Sequence, residues 1–177
     1  KFKFTSSFFT MLLGKERKNA LLLNTRIGFG LLGYFDKDYG LSPFERFYLG
    51  GSGLTGFSLD GREIIALRGY DDQSVSPPTG AASIVKYTFE LRYPISLNPS
   101  AMVYGMGFAE GGNSWSNFLE FNPFSVKRSA GVGVRVFLPM FGLLGLDYGW
   151  RFDDIERAPF MQRGQLHFTI GMNLGEL

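Results

Sequence analysis

The stretch Gln165-Leu166-His167-Phe168-Thr169-Ile170-Gly171-Met172-Asn173-Leu174 decides the fold class, because every second residue in it is large and apolar. Successive side chains of a β-strand point to opposite faces, so this spacing collects the apolar side chains on one face and leaves the other face polar. We therefore predict a two-faced β-strand at 165–174.

Six further segments are candidate strands. Four alternate regularly, namely 21–31, 83–95, 129–138 and 143–153. Two alternate less regularly, namely 2–13 and 101–110. Helical spacing is weak throughout, and no run reaches the roughly 18 apolar residues that a membrane helix needs. The sequence therefore predicts an all-β fold with seven antiparallel strands.

The two faces of these strands differ in the way that the faces of a membrane barrel do. The polar faces carry charges and glycines, whereas the apolar faces carry aromatic residues near the strand ends, as at Tyr93, Trp150 and Phe152. A lipid-facing exterior with aromatic girdles and a wet lumen has this composition. A soluble β-sandwich shares the alternation, so the faces alone leave both folds open.

The lengths of the connections favour the membrane barrel. Short links at 14–19, 96–99 and 139–142 alternate with longer links at 36–81, 111–126 and 154–163. Barrels of the bacterial outer membrane have tight periplasmic turns and longer outer loops. We therefore predict a transmembrane antiparallel β-barrel in the bacterial outer membrane, with a periplasmic C-terminus. Because such barrels close with an even number of strands, and because the chain starts at Lys1 without a signal segment, we expect further strands to precede it.

Composition excludes several kinds of chemistry. The 177 residues contain no cysteine and a single histidine, so disulfides, thiolate zinc sites and cysteine nucleophiles are impossible within this chain. The net charge of +2 offers no electrostatic argument for nucleic-acid binding. No nucleophile-elbow pattern accompanies His167, which we interpret as a structural residue without an acid–base partner. We predict no enzymatic activity, no cofactor and no metal.

Two weaker signals have ordinary explanations. Gly50-Gly51-Ser52-Gly53 is not followed by the Gly-Lys-Ser/Thr of a phosphate loop, so we interpret these glycines as turn or close-packing residues. The acidic pairs Asp71-Asp72 and Asp153-Asp154 have the composition of a calcium site at a rim, but exposed acidic pairs are more often simply solvated.

The connection at 36–81 is too long and too apolar for an ordinary loop. Structureless connections of this length are uncommon in compact domains. A disordered segment would also be poor in large apolar residues. We therefore expect the connection to bury its apolar side chains against a surface. Those side chains are Phe44, Phe47, Tyr48, Leu49, Leu54, Phe57, Ile64, Ile65, Leu67 and Tyr70.

A set of motifs, in a fixed order, resembles the BamA-type outer-membrane protein assembly factors of the bacterial surface antigen superfamily. Each motif is short, and the order in which they follow one another carries the resemblance. They are Phe47-Tyr48-Leu49-Gly50-Gly51, Arg68-Gly69-Tyr70, Phe89-Glu90-Leu91-Arg92-Tyr93-Pro94, Phe108-Ala109-Glu110-Gly111-Gly112-Asn113-Ser114-Trp115, Ser129-Ala130-Gly131-Val132-Gly133 and the strand at 165–174.

This resemblance implies that residues 1–177 are the last seven strands of a sixteen-stranded barrel. It further implies that the loop at 36–81 enters the lumen through Gly50 and Gly51. Its tip Arg68-Gly69-Tyr70 would then meet Glu90 and Glu110 on the lumen wall. Glu110 stands where an aspartate is usual in the family. Thr55-Gly56-Phe57 lies nearer to the usual spacing but lacks the arginine, so both segments remain candidates for the tip.

The residues themselves support this contact. Glu90 lies on a polar strand face, and Glu110 shares its face with Tyr104, Met106 and Phe108. The planar guanidinium of Arg68 suits two carboxylates, and we expect it to be the cation that both of them depend on. The alternative is a solvated Arg68 in a water-filled lumen.

The resemblance implies an insertase that folds other β-barrel proteins into the outer membrane. Its partners would be outer-membrane lipid, nascent β-barrel substrates, and periplasmic or lipoprotein assembly subunits. The last strand would form one side of a seam to which an incoming strand adds, loosened by Gly164 and Gly171. Its residues include Gln165, Leu166, Phe168, Ile170, Gly171, Met172 and Leu174. The alternatives are a two-partner secretion transporter, the barrel anchor of a fused lipase, or a plain porin-like barrel.

Overall fold

The computed structural model describes residues 1–14, 19–34, 40–51, 63–140, 142–155 and 163–170. Within these ranges the chain forms nine strands and a short 3₁₀ helix at Phe118–Glu120, and no helix that is long and apolar enough to cross a membrane. The strands are β1 (Phe2–Leu13), β2 (Leu21–Leu31), β3 (Phe47–Leu49), β4 (Glu63–Ile65), β5 (Ser83–Asn98), β6 (Ala101–Trp115), β7 (Lys127–Leu138), β8 (Gly142–Arg151) and β9 (Gly164–Ile170).

Seven of these strands form one antiparallel sheet in the order β1-β2-β5-β6-β7-β8-β9. The predicted all-β fold with seven antiparallel strands is therefore confirmed. Each strand of this sheet pairs with the next strand of the same sheet along the chain. The two described strands outside it, β3 and β4, lie in the long connection between β2 and β5. In the described residues β1 and β9 are the two edges of the sheet.

Three predicted boundaries are wrong. Residues 96–98, expected in a link, continue β5, and β8 ends at Arg151 rather than at 153. The link expected at 111–126 begins only after Trp115, because residues 111–115 continue β6 and pair with residues 83–87 of β5. The glycines at 111–112 are typical of a loop in the sequence, but Gly112 lies within the strand, where the long connection packs against it. A Cβ added there would lie 3.2 Å from Leu49 Cδ2 of the long connection. The glycine thus lets the connection approach the strand closely.

The two faces of the sheet have different surroundings. The long connection covers one face, which we call the covered face, and the opposite one is the open face. Large apolar side chains of the open face are strongly exposed, for example Val132 at 63% and Leu166 at 67%. The aromatic residues Tyr93, Trp150 and Phe152 are exposed there as well. Monomeric soluble proteins rarely expose apolar surface of this extent, which agrees with a face that meets lipid.

The described part of the long connection is packed, as the sequence predicts. Strands β3 and β4 pair in parallel, and Phe47, Leu49, Leu67 and Tyr70 are 0% exposed. They form a core with residues of the sheet such as Ile84. The expectation of burial is wrong for Phe44, which is 76% exposed within an exposed stretch at 42–45 that precedes β3. Leu54 and Phe57 lie outside the described residues.

The strand register brings distant residues into rows across the covered face. One row contains Asn24, Glu90, Phe108, Gly131, Gly149 and Gln165. The adjacent row contains Leu22, Arg92, Met106, Gly133, Asp147 and His167. Arg68 and Gly69 of the long connection contact residues of both rows.

Candidate functional site

The tip of the long connection is a tight turn from Leu67 to Tyr70. The Tyr70 N–H donates to the Leu67 carbonyl at 3.3 Å, and Gly69, in the third position, has a φ of +88°. A turn of this kind favours glycine there, because a side chain would strain the left-handed backbone. The sequence Arg68-Gly69-Tyr70 therefore presents the arginine at the apex of the turn.

Gly50 and Gly51 hold the base of this turn. The Gly51 N–H donates to the Tyr70 carbonyl at 3.0 Å, and the Gly51 carbonyl accepts from the Leu67 N–H at 3.1 Å. Both glycines have positive φ, and a Cβ on Gly50 would lie 2.3 Å from the Asp71 carbonyl oxygen. These glycines are required for the close approach of two chain segments.

Arg68 is buried against the covered face. Its Nη2 donates to Glu90 Oε1 on β5 and to Glu110 Oε1 on β6, both at 2.7 Å. Its backbone N–H donates to Glu110 Oε2 at 2.9 Å. The guanidinium carbon lies 3.7 Å from the centroid of the Phe108 ring, a cation–π contact. At 3% exposure these charge-assisted bonds are shielded from water, which strengthens them.

A third carboxylate, Asp147 on β8, lies 3.7 Å from Arg68 Nη1. Each carboxylate also has a cation on the sheet. Arg92 is 2.5 Å from Glu90, Lys86 is 3.7 Å from Glu110, and Arg135 binds Asp147 with both Nη atoms at 2.7 and 2.6 Å. The expectation that Glu90 and Glu110 depend on Arg68 alone is therefore wrong. Arg68 instead joins three carboxylates that the sheet has already partly neutralised.

The rest of the tip reaches the remaining strands. The Gly69 N–H donates to His167 Nε2 on β9 at 2.8 Å, and the Tyr70 hydroxyl donates to the Arg128 carbonyl on β7 at 2.7 Å. Gly69 also lies on Gly149 of β8, where an added Cβ would be 2.5 Å from the Gly69 nitrogen. The three tip residues thus contact five consecutive strands, β5 to β9.

Four of these partners were not assigned to the site from the sequence. Asp147 and Gly149 lie in the predicted strand at 143–153, His167 lies in the one at 165–174, and Arg128 directly precedes the one at 129–138. His167 is a buried residue of the polar face, and its Nε2 accepts the hydrogen bond from the Gly69 N–H. The strand register reveals these contacts, because it pairs Asp147 directly with His167 and places Gly149 opposite Gln165. Register cannot be obtained from alternation alone.

The predicted seam residues divide between the two faces. Leu166, Phe168 and Ile170 are exposed on the open face, and Gln165 on the covered face donates to Asp71 Oδ1. Gly164 lies close to Tyr148, since an added Cβ would lie 2.1 Å from the Tyr148 hydroxyl oxygen. The predicted residues Gly171, Met172 and Leu174 lie outside the described ranges, as does Thr55-Gly56-Phe57.

The acidic pairs are engaged in part by neighbouring side chains. Asp153 accepts two hydrogen bonds from the Arg128 guanidinium, at 2.9 and 3.1 Å, which lowers the pKa of that carboxyl. Asp71 accepts from Gln165. In the ranges that the structure describes, no three His, Cys, Asp or Glu residues are grouped in a way that could hold a metal ion.

An antiparallel sheet with an apolar open face, and with a buried loop tip bonded to its polar face, is consistent with an outer-membrane β-barrel. The family model of the Omp85 superfamily domain matches residues 1–173. The chain belongs to the Omp85 superfamily, a family of outer-membrane protein insertion and secretion. No curated protein matches the chain.

Proposed function

We propose that the protein is a BamA-type insertase, which folds and inserts other β-barrel proteins into the bacterial outer membrane. The chain would form the C-terminal seven strands of a sixteen-stranded barrel, with the open face toward lipid, the covered face toward the lumen and the C-terminus in the periplasm. The work is strand pairing, so no enzymatic step, cofactor or metal is needed.

The observation that carries this proposal is the contact of one loop tip with five adjacent strands, including the last one. A plain porin needs a water-lined inner face to conduct ions. Here the corresponding face is covered, and Leu49, Leu67 and Tyr70 are 0% exposed between loop and sheet. This favours a barrel with an occupied lumen over an open pore.

The proposal gives the last strand a specific role. In the described residues β9 pairs with β8 along its whole described length. An edge strand with one unpaired side is a template for an incoming strand. We propose that a nascent β-barrel substrate adds at this edge while its lipid-facing side chains enter the membrane. Periplasmic or lipoprotein subunits would deliver that substrate.

The test uses the full-length protein in lipid vesicles and a denatured β-barrel substrate. The folded substrate is measured by its heat-modifiable migration on a gel. We expect faster folding than in empty vesicles, and loss of most of the acceleration in an Arg68→Ala protein that still inserts as a barrel. Val134→Met, on the open face, is the matched control and should keep the activity.

Two results would overturn the insertase. Transport of a secreted passenger without faster folding of any barrel substrate would identify a two-partner secretion transporter. A large, steady single-channel conductance in a planar bilayer, unchanged by Arg68→Ala, would identify a porin-like barrel.

A further inference from the structure

Two polar side chains of β9 bind neighbouring residues of the long connection. His167 Nε2 accepts from the Gly69 N–H at 2.8 Å, and Gln165 donates to Asp71 Oδ1. Gln165 and His167 are successive covered-face residues of one strand, so the connection follows β9 for two side-chain positions. The last strand therefore has two partners, β8 through its backbone and the loop tip through its side chains.

The hydrogen bond to Gly69 fixes the protonation state of His167. A backbone N–H can only donate, so Nε2 must present its lone pair and the ring proton must reside on Nδ1. An imidazolium carries protons on both nitrogens and has no acceptor left. Protonation of His167 therefore removes this bond and turns two N–H groups toward each other.

Charged groups from three elements surround the ring. Asp147 faces it from β8, Arg68 and Asp72 from the long connection, and Glu110 from β6. Asp147 is held by Arg135, and Glu110 is held by Arg68. Asp147 and Glu110 thus have cationic partners of their own, whereas the acceptor of the Gly69 N–H is His167.

We propose that His167 is a positioning residue that couples the last strand to the loop tip. In its neutral form it holds β9 against the tip, and its protonation releases that attachment. Imidazole is the side chain that changes charge near neutral pH. The bonds of Arg68 to Glu90 and Glu110, and of Tyr70 to the Arg128 carbonyl, do not include His167. The attachment is present at neutral pH and is lost as the pH falls through the titration of His167.

One consequence of this coupling by His167 rests on the proposed insertase function. If β9 is the seam strand, release of His167 makes the seam easier to open, and acidification changes how readily a substrate strand can add. The attachment itself is a property of the folded barrel and needs no substrate.

The test is hydrogen–deuterium exchange of the full-length protein in lipid vesicles, at about pH 7.5 and at about pH 4, the second of which lies well below the usual titration of imidazole. Rates are corrected for the intrinsic effect of pH. In the unaltered protein we expect the tip at 66–71 and the strand at 164–170 to exchange together, about tenfold faster at the lower pH.

Three variants separate this role from a merely structural one. His167→Gln keeps an oxygen acceptor at every pH, so its tip and strand should stay protected at both values. His167→Ala lacks the acceptor and should exchange quickly at both values. Thr169→Ala, two residues further along the same face, should keep the pH profile of the unaltered protein. Heat-modifiable migration verifies that each variant forms a barrel.

An identical pH profile in His167→Gln and in the unaltered protein would overturn the proposal, since another group would then be responsible. So would a His167→Ala protein whose tip is released while β9 stays protected, because the two would not be coupled. Coupled exchange in a protein that does not accelerate substrate folding would leave the attachment in place and refute the insertase.

Discussion

Arg68 binds Glu110 through two different groups: Nη2 donates to Oε1 at 2.7 Å, and the backbone N–H donates to Oε2 at 2.9 Å. One carboxylate therefore fixes both the side chain and the backbone at the apex of the tip. Glu90 accepts a hydrogen bond from the Arg68 side chain but none from its backbone. Glu90 also forms an ion pair with Arg92 at 2.5 Å. The two acids contact the same arginine but are not equivalent.

The first prediction follows from this difference. Glu110→Gln should release the tip more than Glu90→Gln, because it weakens two bonds to Arg68 and places an N–H₂ group beside donors. Removing one partner of a buried ion pair costs about 3–5 kcal/mol, and we expect Glu110→Gln to approach this range. Protease cleavage within the long connection measures the release. Equal cleavage of the two variants would contradict the unequal roles.

The second prediction concerns Arg68. Arg68→Ala should expose the connection to protease and reduce assembly activity together. Arg68→Lys should restore little, since an ammonium lacks the planar fork and the broad contact with Phe108. Adding Glu110→Gln to Arg68→Ala should cost less than the sum of the single changes, as for residues of one network. Strictly additive losses would indicate that the two residues act independently.

The third prediction tests the close approach of Gly69 and Gly149. Gly149→Ala would place a Cβ 2.5 Å from the Gly69 nitrogen, so the tip must move away. We expect a cost of about 1–3 kcal/mol, typical of overpacking, and a more accessible connection. The matched control is Gly107→Ala on the open face of β6, where no atom lies within 4 Å of the added Cβ. The free energy of unfolding of both variants is measured with denaturant. A similar decrease in both would exclude the steric explanation.

The fourth prediction tests the orientation of the sheet in the membrane. Val134 on β7 lies beside Leu146 on β8, and both are exposed on the open face. Val134→Arg should cost about 2–4 kcal/mol near the middle of the membrane, while Val134→Met should fold normally. Folding yield in lipid vesicles decides the matter. Equal yields for arginine and methionine would show that this face does not meet hydrocarbon.

The fifth prediction concerns the edge strand. Phe168→Asp or Ile170→Asp should prevent insertion, because each places a carboxylate on the apolar face of β9. Phe168→Leu keeps an apolar side chain and should insert. The amount of protease-resistant barrel in the membrane is the readout. Similar amounts for the aspartate and leucine variants would argue against a lipid-facing β9.

Alternation along the chain determined the fold class and the faces. The period of two placed Glu90 and His167 on the polar face and Phe168 on the apolar one. The structure agrees, because side-chain direction in a strand depends only on position along that strand. The apolar content of 36–81 likewise predicted that this connection would pack against the sheet.

Only the tertiary structure decided which polar residues meet. Register between strands sets whether Asp147 lies beside His167, and a shift would change every such pair without altering the alternation within either strand. The path of the long connection decided that Gly69 lies on Gly149 and donates to His167, 98 positions away in the chain. Alternation is a local property of one strand, whereas these contacts depend on how several strands and a loop pack together.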